Sequence, residues 1–386
     1  MRRGPGGSPV RPTVVPIVLV LLHAAPLPAG PVSAAAQERA SVGPVPGATV
    51  VWLPARYEAH RFWVTPVTPR GDTLRLYTDT GGGTNMLFPS AVERLGLPTR
   101  SISSPEGGTA RVAALPPFRG AAAVPMPSVA SPTGPWLLVR EPPGYIAGDG
   151  FLGRTWFAGR VWALDYPGRA LGLVLGWDPD AVAREHRVPL GFRTDSAGRL
   201  TTHFPRVRVE VDDDSLDLLL DTGATVPLSG DAREELGGGA AERGTSFIVR
   251  SVYEEWRRRH PDWRVIEGAD RTGDVPMIRV PEVSVGGHTV GPVWFTVRPD
   301  VNFRRRMSRW MDRRIDGALG GSALRHFRVV LDYPRATAAF LRPDAGGAGA
   351  RGDAAPGPEG GPRDGADVAG RGATGPGEAK MRTPRR

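Results

Sequence analysis

The chain has 386 residues, no cysteine, 40% hydrophobic content and a formal net charge of +9. That length suits two ordinary domains with sizeable cores, and the lack of cysteine excludes disulfides, thiolate catalysis and Cys-ligated metals. The basic balance would suit nucleic acid or an anionic surface, but the Arg residues are interleaved with Asp and Glu, so charge alone assigns no partner.

The chain opens with Arg2, Arg3 and Arg11, then an apolar stretch around Val14 to Ala25, then small residues with Ala34 and Ala36 ahead of Gln37. That order predicts a secretory signal over 1–36, and an exported, periplasmic or secreted chain. An uncleaved anchor is the alternative, against which stand the shortness of the run and its breaks at Pro16 and Pro26. No second stretch could cross a bilayer.

Beyond the signal the pattern is mostly β. Short alternating runs such as "RVRVEV" (Arg206 to Val211) and "PVWFTV" (Pro292 to Val297) are punctuated by turn residues such as Gly286 and Gly287. Two short helices are predicted, "SAVERLGL" (Ser90 to Leu97) starting at a Ser and "DAREELGGG" (Asp231 to Gly239) starting at an Asp, each following an Asp-Thr-Gly at similar distance. From Asp344 onward almost no large apolar residue remains, which predicts a disordered Gly/Pro/Ala/Arg-rich tail over 344–386.

One pattern occurs twice. "LRLYTDTGGGTNMLFPSAVERLGL" is followed by "GDGFLGRTWFAGRVWALDYPGRALGL", and "LDLLLDTGATVPLSGDAREELG" by "IDGALGGSALRHFRVVLDYPRATAAFL". Without a gap, Asp149, Gly150, Leu152, Gly153, Leu164, Asp165, Tyr166 and Pro167 fall on Asp316, Gly317, Leu319, Gly320, Leu331, Asp332, Tyr333 and Pro334. Such identity at fixed spacing predicts a duplicated lobe over 50–176 and 185–343. With flanks included, the lobes are assigned to 37–176 and 177–343, joined by the turn-rich "GWDPDAVAREHRVPL".

Each Asp-Thr-Gly ends an apolar alternating run, so Asp79 and Asp221 are expected at strand ends. The glycines two residues on, Gly81 and Gly223, let the backbone turn tightly, while Thr80 and Thr222 can hydrogen-bond. Two related lobes facing across a pseudo-twofold axis would bring Asp79 and Asp221 together. Carboxylates within hydrogen-bonding distance hold one proton between them, giving an acid and a base in one site. The ionised member can take a proton from water while the protonated one donates to an amide carbonyl. This chemistry needs no metal and no cofactor. It agrees with the lack of any His-x-x-x-His or Gly-x-Ser-x-Gly arrangement and of His residues at metal-ligand spacing.

These residues, with Phe151-Leu152-Gly153 and Ala318-Leu319-Gly320, resemble the aspartic proteases with pepsin-like and retroviral-type (retropepsin) lobes, in which such hydrophobic-hydrophobic-Gly elements pass behind the catalytic loops. The segment "DGALGGSALRHFRVVLDYPRATAAFL" looks especially like the end of bacterial retroviral-type aspartyl proteases. The resemblance covers nearly all of 50–343. It implies an all-β, bilobal acid-protease fold of two related β-barrel-like lobes, and an aspartic endopeptidase acting on peptide or protein substrates. It also implies Asp79 and Asp221 as the dyad, supported by Thr80, Gly81, Thr222 and Gly223, with Thr80 and Thr222 bonding across the lobes. A monomer is expected, since one chain supplies both carboxylates.

Three departures bear on function. Gly82 and Ala224 stand where pepsin-like enzymes often carry a hydroxyl, which predicts a dyad that titrates higher than a strongly acid protease's. Ser101 to Gly144 holds no Tyr for a flap, only Phe118 and Trp136 as aromatics. The Arg-rich "YEEWRRRHPDWR" (Tyr253 to Arg264) and "NFRRRMSRWMDRR" (Asn302 to Arg314) read as solvated helical insertions with partly buried Trp256 and Trp310. Asp149, Asp316, Asp165 and Asp332 are expected to make local turn bonds. Two rival classes stay open: an inactive peptide-binding or envelope-interaction module on the same fold, and an anion-binding surface protein whose Arg-rich insertions meet polyanions such as nucleic acid.

Overall fold

The computed structural model describes residues 44–343 apart from 104–107, 121–123, 127–132, 143–145 and 274. The expected signal segment and the tail from Asp344 lie outside the described residues. The protein is mostly β, with few short helices, and three large sheets carry the architecture.

The six-stranded sheet explains the repeat. Its middle strands, Val161–Asp165 and Arg328–Asp332, are the two copies of the Leu-Asp-Tyr-Pro segment and pair antiparallel, with Ala163 opposite Val330. Those two residues also superpose in the ungapped alignment, so a pseudo-twofold axis passes between them. Outward from this pair lie the hairpin partners Ala170–Leu175 and Thr337–Leu341, then the edge strands Thr49–Trp52 and Arg187–Pro189. Each half of the chain thus contributes three strands.

Each half also has its own sheet. In the first, Leu76–Thr78 runs parallel to Gly150–Leu152, which pairs antiparallel with Met86–Leu87, itself parallel to Leu137–Val139. In the second, Asp214–Leu220 runs parallel to Gly317–Leu319, which pairs antiparallel with Ser246–Val249, itself parallel to Val293–Arg298. The order of directions is the same in both. A continuous apolar core runs through both halves, its largest fully buried side chains being Trp156, Trp162 and Trp256.

This topology changes the expected match of the helices. The strand Met86–Leu87 leads into the helix Pro89–Arg94, and the topologically matching strand Ser246–Val249 leads into Arg250–Arg259. The helix Gly230–Glu235 therefore has no counterpart among the described residues of the first half. It belongs to an insertion, bounded by the paired strands Thr225–Pro227 and Glu242–Gly244, that follows the second Asp-Thr-Gly directly. Its cap is Ser229, whose Oγ accepts from the Ala232 N–H, rather than Asp231. The first helix starts at Pro89 with no side-chain cap, so Ser90 lies inside it.

Candidate active site

Asp79 and Asp221 each follow the end of a central strand. The Asp79 N–H donates to the Leu152 carbonyl at 3.0 Å and the Asp221 N–H to that of Leu319 at 2.9 Å. These acceptors belong to the hydrophobic-hydrophobic-Gly elements, which fix where each loop leaves its sheet. The two carboxyl groups meet in side-chain hydrogen-bonding contact. Asp221 is 9% exposed and Asp79 is partly buried.

Glycine is required at the crossing. A Cβ on Gly223 would lie 2.1 Å from Asp79 Cγ, and one on Gly81 would lie 2.5 Å from Asp221 Cγ, so each backbone runs against the other half's carboxyl. Thr80 and Thr222 exchange backbone-to-hydroxyl hydrogen bonds across the junction, and Thr80 Oγ1 also donates to the Leu220 carbonyl at 2.7 Å.

Burial is the largest cause raising Asp79 well above the ordinary carboxylate value, followed by the charge of Asp221 and the hydrogen bond to it. Burial raises Asp221 as well, but the hydrogen bond from Asp79 and the N–H groups of Gly223 and Ala224 oppose it. The N–H groups of Gly81 and Gly82 oppose the rise at Asp79 in the same way, so the pair as a whole holds its proton to higher pH than two free carboxyls would. The rise at both carboxyls comes chiefly from desolvation. Asp79 Oδ1 is buried with no hydrogen-bond partner among the described residues. A serine at position 82 would not fit without rearrangement, because a Cβ there would lie 2.2 Å from the Phe151 ring.

Several supporting groups carry no sequence motif. Tyr77 donates to the Gly223 carbonyl at 2.6 Å and lies 2.8 Å from Thr225 Oγ1, so the strand that delivers Asp79 also braces the opposite loop. Asn85 Oδ1 accepts from the Gly153 N–H at 2.8 Å, and Ser246 Oγ accepts from the Gly320 N–H at 3.0 Å. They extend the repeat, for Asn85 also donates to Thr155 and Ser246 bonds Ser322. The only signal available was position, Asn85 directly before the strand Met86–Leu87 and Ser246 at the start of Ser246–Val249, and the insertion in the second half hid it.

The other carboxylates are structural. Asp165 and Asp332 accept from the Gly168 and Arg335 N–H groups, as local turns predict. Asp149 departs from that expectation. It accepts from the distant Arg75 N–H and pairs with Arg94, while Asp316 pairs with Arg304. Neither lies at the carboxyl pair.

In the first half the antiparallel strands Thr99–Ser103 and Thr109–Ala113 lie at the segment where a flap was expected, and 104–107 lie outside the described residues. Trp136 is stacked beneath Arg100 at 3.9 Å, and Phe118 packs on the core. Of the insertion tryptophans, Trp256 is fully buried and donates to Asp214, whereas Trp310 is 49% exposed, so the two do not share the partial burial expected of them. Arg259 is tied to Asp212 and Asp214, Arg258 to Glu255, and Arg264 to Glu235. Arg305, Arg306 and Arg314 have no ion pair among the described residues and face solvent.

Among the described residues no group of three or more His, Cys, Asp or Glu is placed to hold a metal ion, and no helix is long and apolar enough to cross a membrane. No protein-family model and no curated protein matches the sequence. Among solved structures the chain is similar to an aspartic proteinase from Irpex lacteus, with 11% identity, a TM-score of 0.42, and coverage of 77% of this chain and 98% of that one. The mostly β sheets, the paired loops and the central pseudo-twofold strand pair are consistent with the bilobal acid-protease fold expected from the sequence.

Proposed function

We propose that the protein is an aspartic endopeptidase that hydrolyses peptide bonds with a water activated between Asp79 and Asp221. The observation that carries this reading is the contact of two buried carboxyl groups, both raised above the ordinary carboxylate value. Asp221 accepts a proton from the water as its oxygen attacks the amide carbon, and Asp79 donates its proton to the carbonyl oxygen. The resulting tetrahedral diol collapses as the C–N bond breaks. The leaving nitrogen takes the proton from Asp221, and a diol hydroxyl returns one to Asp79. Thr80, Gly81, Thr222 and Gly223 act as positioning residues for the two loops.

The reading includes two lobes over 37–176 and 177–343, export directed by 1–36, and kinship to bacterial retroviral-type proteases through the closing segment. A second reading, a peptide-binding module without hydrolysis, is favoured by Asp79 Oδ1, which lacks a donor. Cleavage of a mixed peptide library by the wild type and by Asp79→Asn and Asp221→Asn separates the two. Loss of cleavage in both variants supports the enzyme, and binding without turnover by the wild type supports the module.

A further inference from the structure

The insertion after the second Asp-Thr-Gly borders a cavity of about 280 Å³. Its lining brings together His60 from the first half, Arg243 from the insertion, Arg279 from a neighbouring strand, and Arg325, which follows the helix Gly321–Leu324. No acid pairs with Arg243, Arg279 or Arg325 among the described residues. Arg243 spends its N–H groups on the carbonyls of Leu236 and Gly238, which leaves its charge uncompensated, and Arg325 Nε is buried without a partner. The single acid in the lining, Glu235, is held in a two-point pair by Arg264 at 2.9 Å. Burial together with Arg325 and Arg243 brings the His60 imidazole down to about 4, so it is neutral and the cations beside it remain unopposed.

This cavity adjoins the second catalytic loop. Gly320 lies against the Asp221 backbone carbonyl, and Gly321, the next residue, lies against His60. Thr225, four residues past Asp221, pairs with Gly244 in the cavity wall. Leu236 and Trp294 add apolar surface to the lining, enough to receive a short methylene stem ending in an anion. Arg243 and Arg325 are half-buried and Arg279 is exposed; a half-buried guanidinium without a counter-ion is costly unless an anion meets it, and the anion that peptides carry is a carboxylate.

We propose that this cavity binds a carboxylate of the peptide substrate, through Arg325 and Arg279, and so selects acidic peptides. The inference rests on the peptidase reading for the word substrate, but the site itself stands on the cation cluster. Charge-assisted hydrogen bonds of this kind correspond to a discrimination of about tenfold.

The test uses peptides that differ only by Glu, Gln or Lys at one position, each with a free and an amidated C-terminus. The wild type, Arg325→Gln, Arg279→Gln and Arg325→Glu are compared by kcat/KM. Binding of the same peptides to Asp221→Asn, and to Asp221→Asn combined with Arg325→Gln, is followed by fluorescence anisotropy. The expected result is a Glu-to-Gln ratio of about ten in the wild type that falls toward one in Arg325→Gln and Arg279→Gln and inverts in favour of Lys-bearing peptides in Arg325→Glu. A preference for the free over the amidated C-terminus that is lost in Arg325→Gln supports the site and identifies the peptide terminus as the source of the carboxylate. Cleavage without charge preference overturns the inference and leaves the dyad intact. No cleavage, with Arg325-dependent binding of Glu peptides, overturns the peptidase and retains the site. Neither cleavage nor charge-selective binding overturns both.

Discussion

Thr80 and Thr222 bond reciprocally: the Thr80 N–H donates to Thr222 Oγ1 at 3.1 Å and the Thr222 N–H donates to Thr80 Oγ1 at 3.0 Å. All four groups are buried, so each hydroxyl replaces water for a backbone donor of the opposite half. Thr80→Val keeps the side-chain shape but strands the Thr222 N–H and the Leu220 carbonyl. It should cost about 1–3 kcal/mol in denaturant unfolding and lower kcat more than it raises KM. Thr80→Ser should restore most of both, and equal stability of the Val and Ser variants would argue against the bridge.

Gly223 tests the close approach. With a methyl group 2.1 Å from Asp79 Cγ, Gly223→Ala must push the two loops apart, and activity should fall by about a hundredfold or more. Gly230→Ala is the control, since nothing lies within 4 Å of a Cβ there and the helix begins at that residue. Comparable activity in both variants would show that the loops are not packed as described.

Asn85 and Ser246 make matching predictions. Asn85→Ala leaves the Gly153 N–H without its acceptor, and Ser246→Ala does the same to Gly320. Each should destabilise by about 1–3 kcal/mol, and the two effects should add, because the sites share no partner. Thermal denaturation of the single and double variants checks both claims.

The raised carboxyls set the pH dependence. Activity needs one proton on the pair. Because both groups are raised above the ordinary value of 3.8, both limbs of the activity profile should lie at higher pH than two unperturbed aspartates would give. The stability effect has a definite sign. A carboxyl raised by folding binds more protons folded than unfolded, so its contribution is fully present below the unfolded value and is lost as pH rises through the folded one. Asp79→Asn, which cannot ionise, should raise the melting temperature at neutral pH, and the gain should vanish in acid. A gain that grows on acidification would reverse the assignment.

The repeat was legible because Asp-Thr-Gly, the glycine elements and Leu-Asp-Tyr-Pro keep their spacing, and the ungapped register even names the residues at the axis, Ala163 and Val330. What hid the rest was asymmetry and distance. The insertion holding Gly230–Glu235 imitates a helix at the expected offset, while the true counterpart of Pro89–Arg94 lies beyond it at Arg250–Arg259. Tyr77 reads as another strand residue, since its partner Gly223 is 146 positions away. His60, Arg243 and Arg325 are far apart in the chain and meet only when the insertion closes on the first half. Trp256 and Trp310 look alike beside arginines, and tertiary packing alone buries one and exposes the other.

The measurement that bears most directly on the carboxyl pair is kcat/KM for a peptide cleaved by the wild type, repeated with purified, folded Asp79→Asn and Asp221→Asn across the active pH range. Each substitution removes one member of an acid–base pair that works as a unit, so each should lower the rate by about a thousandfold or more. The double variant should be scarcely worse than either single one. A wild-type rate retained in either single variant would contradict the account.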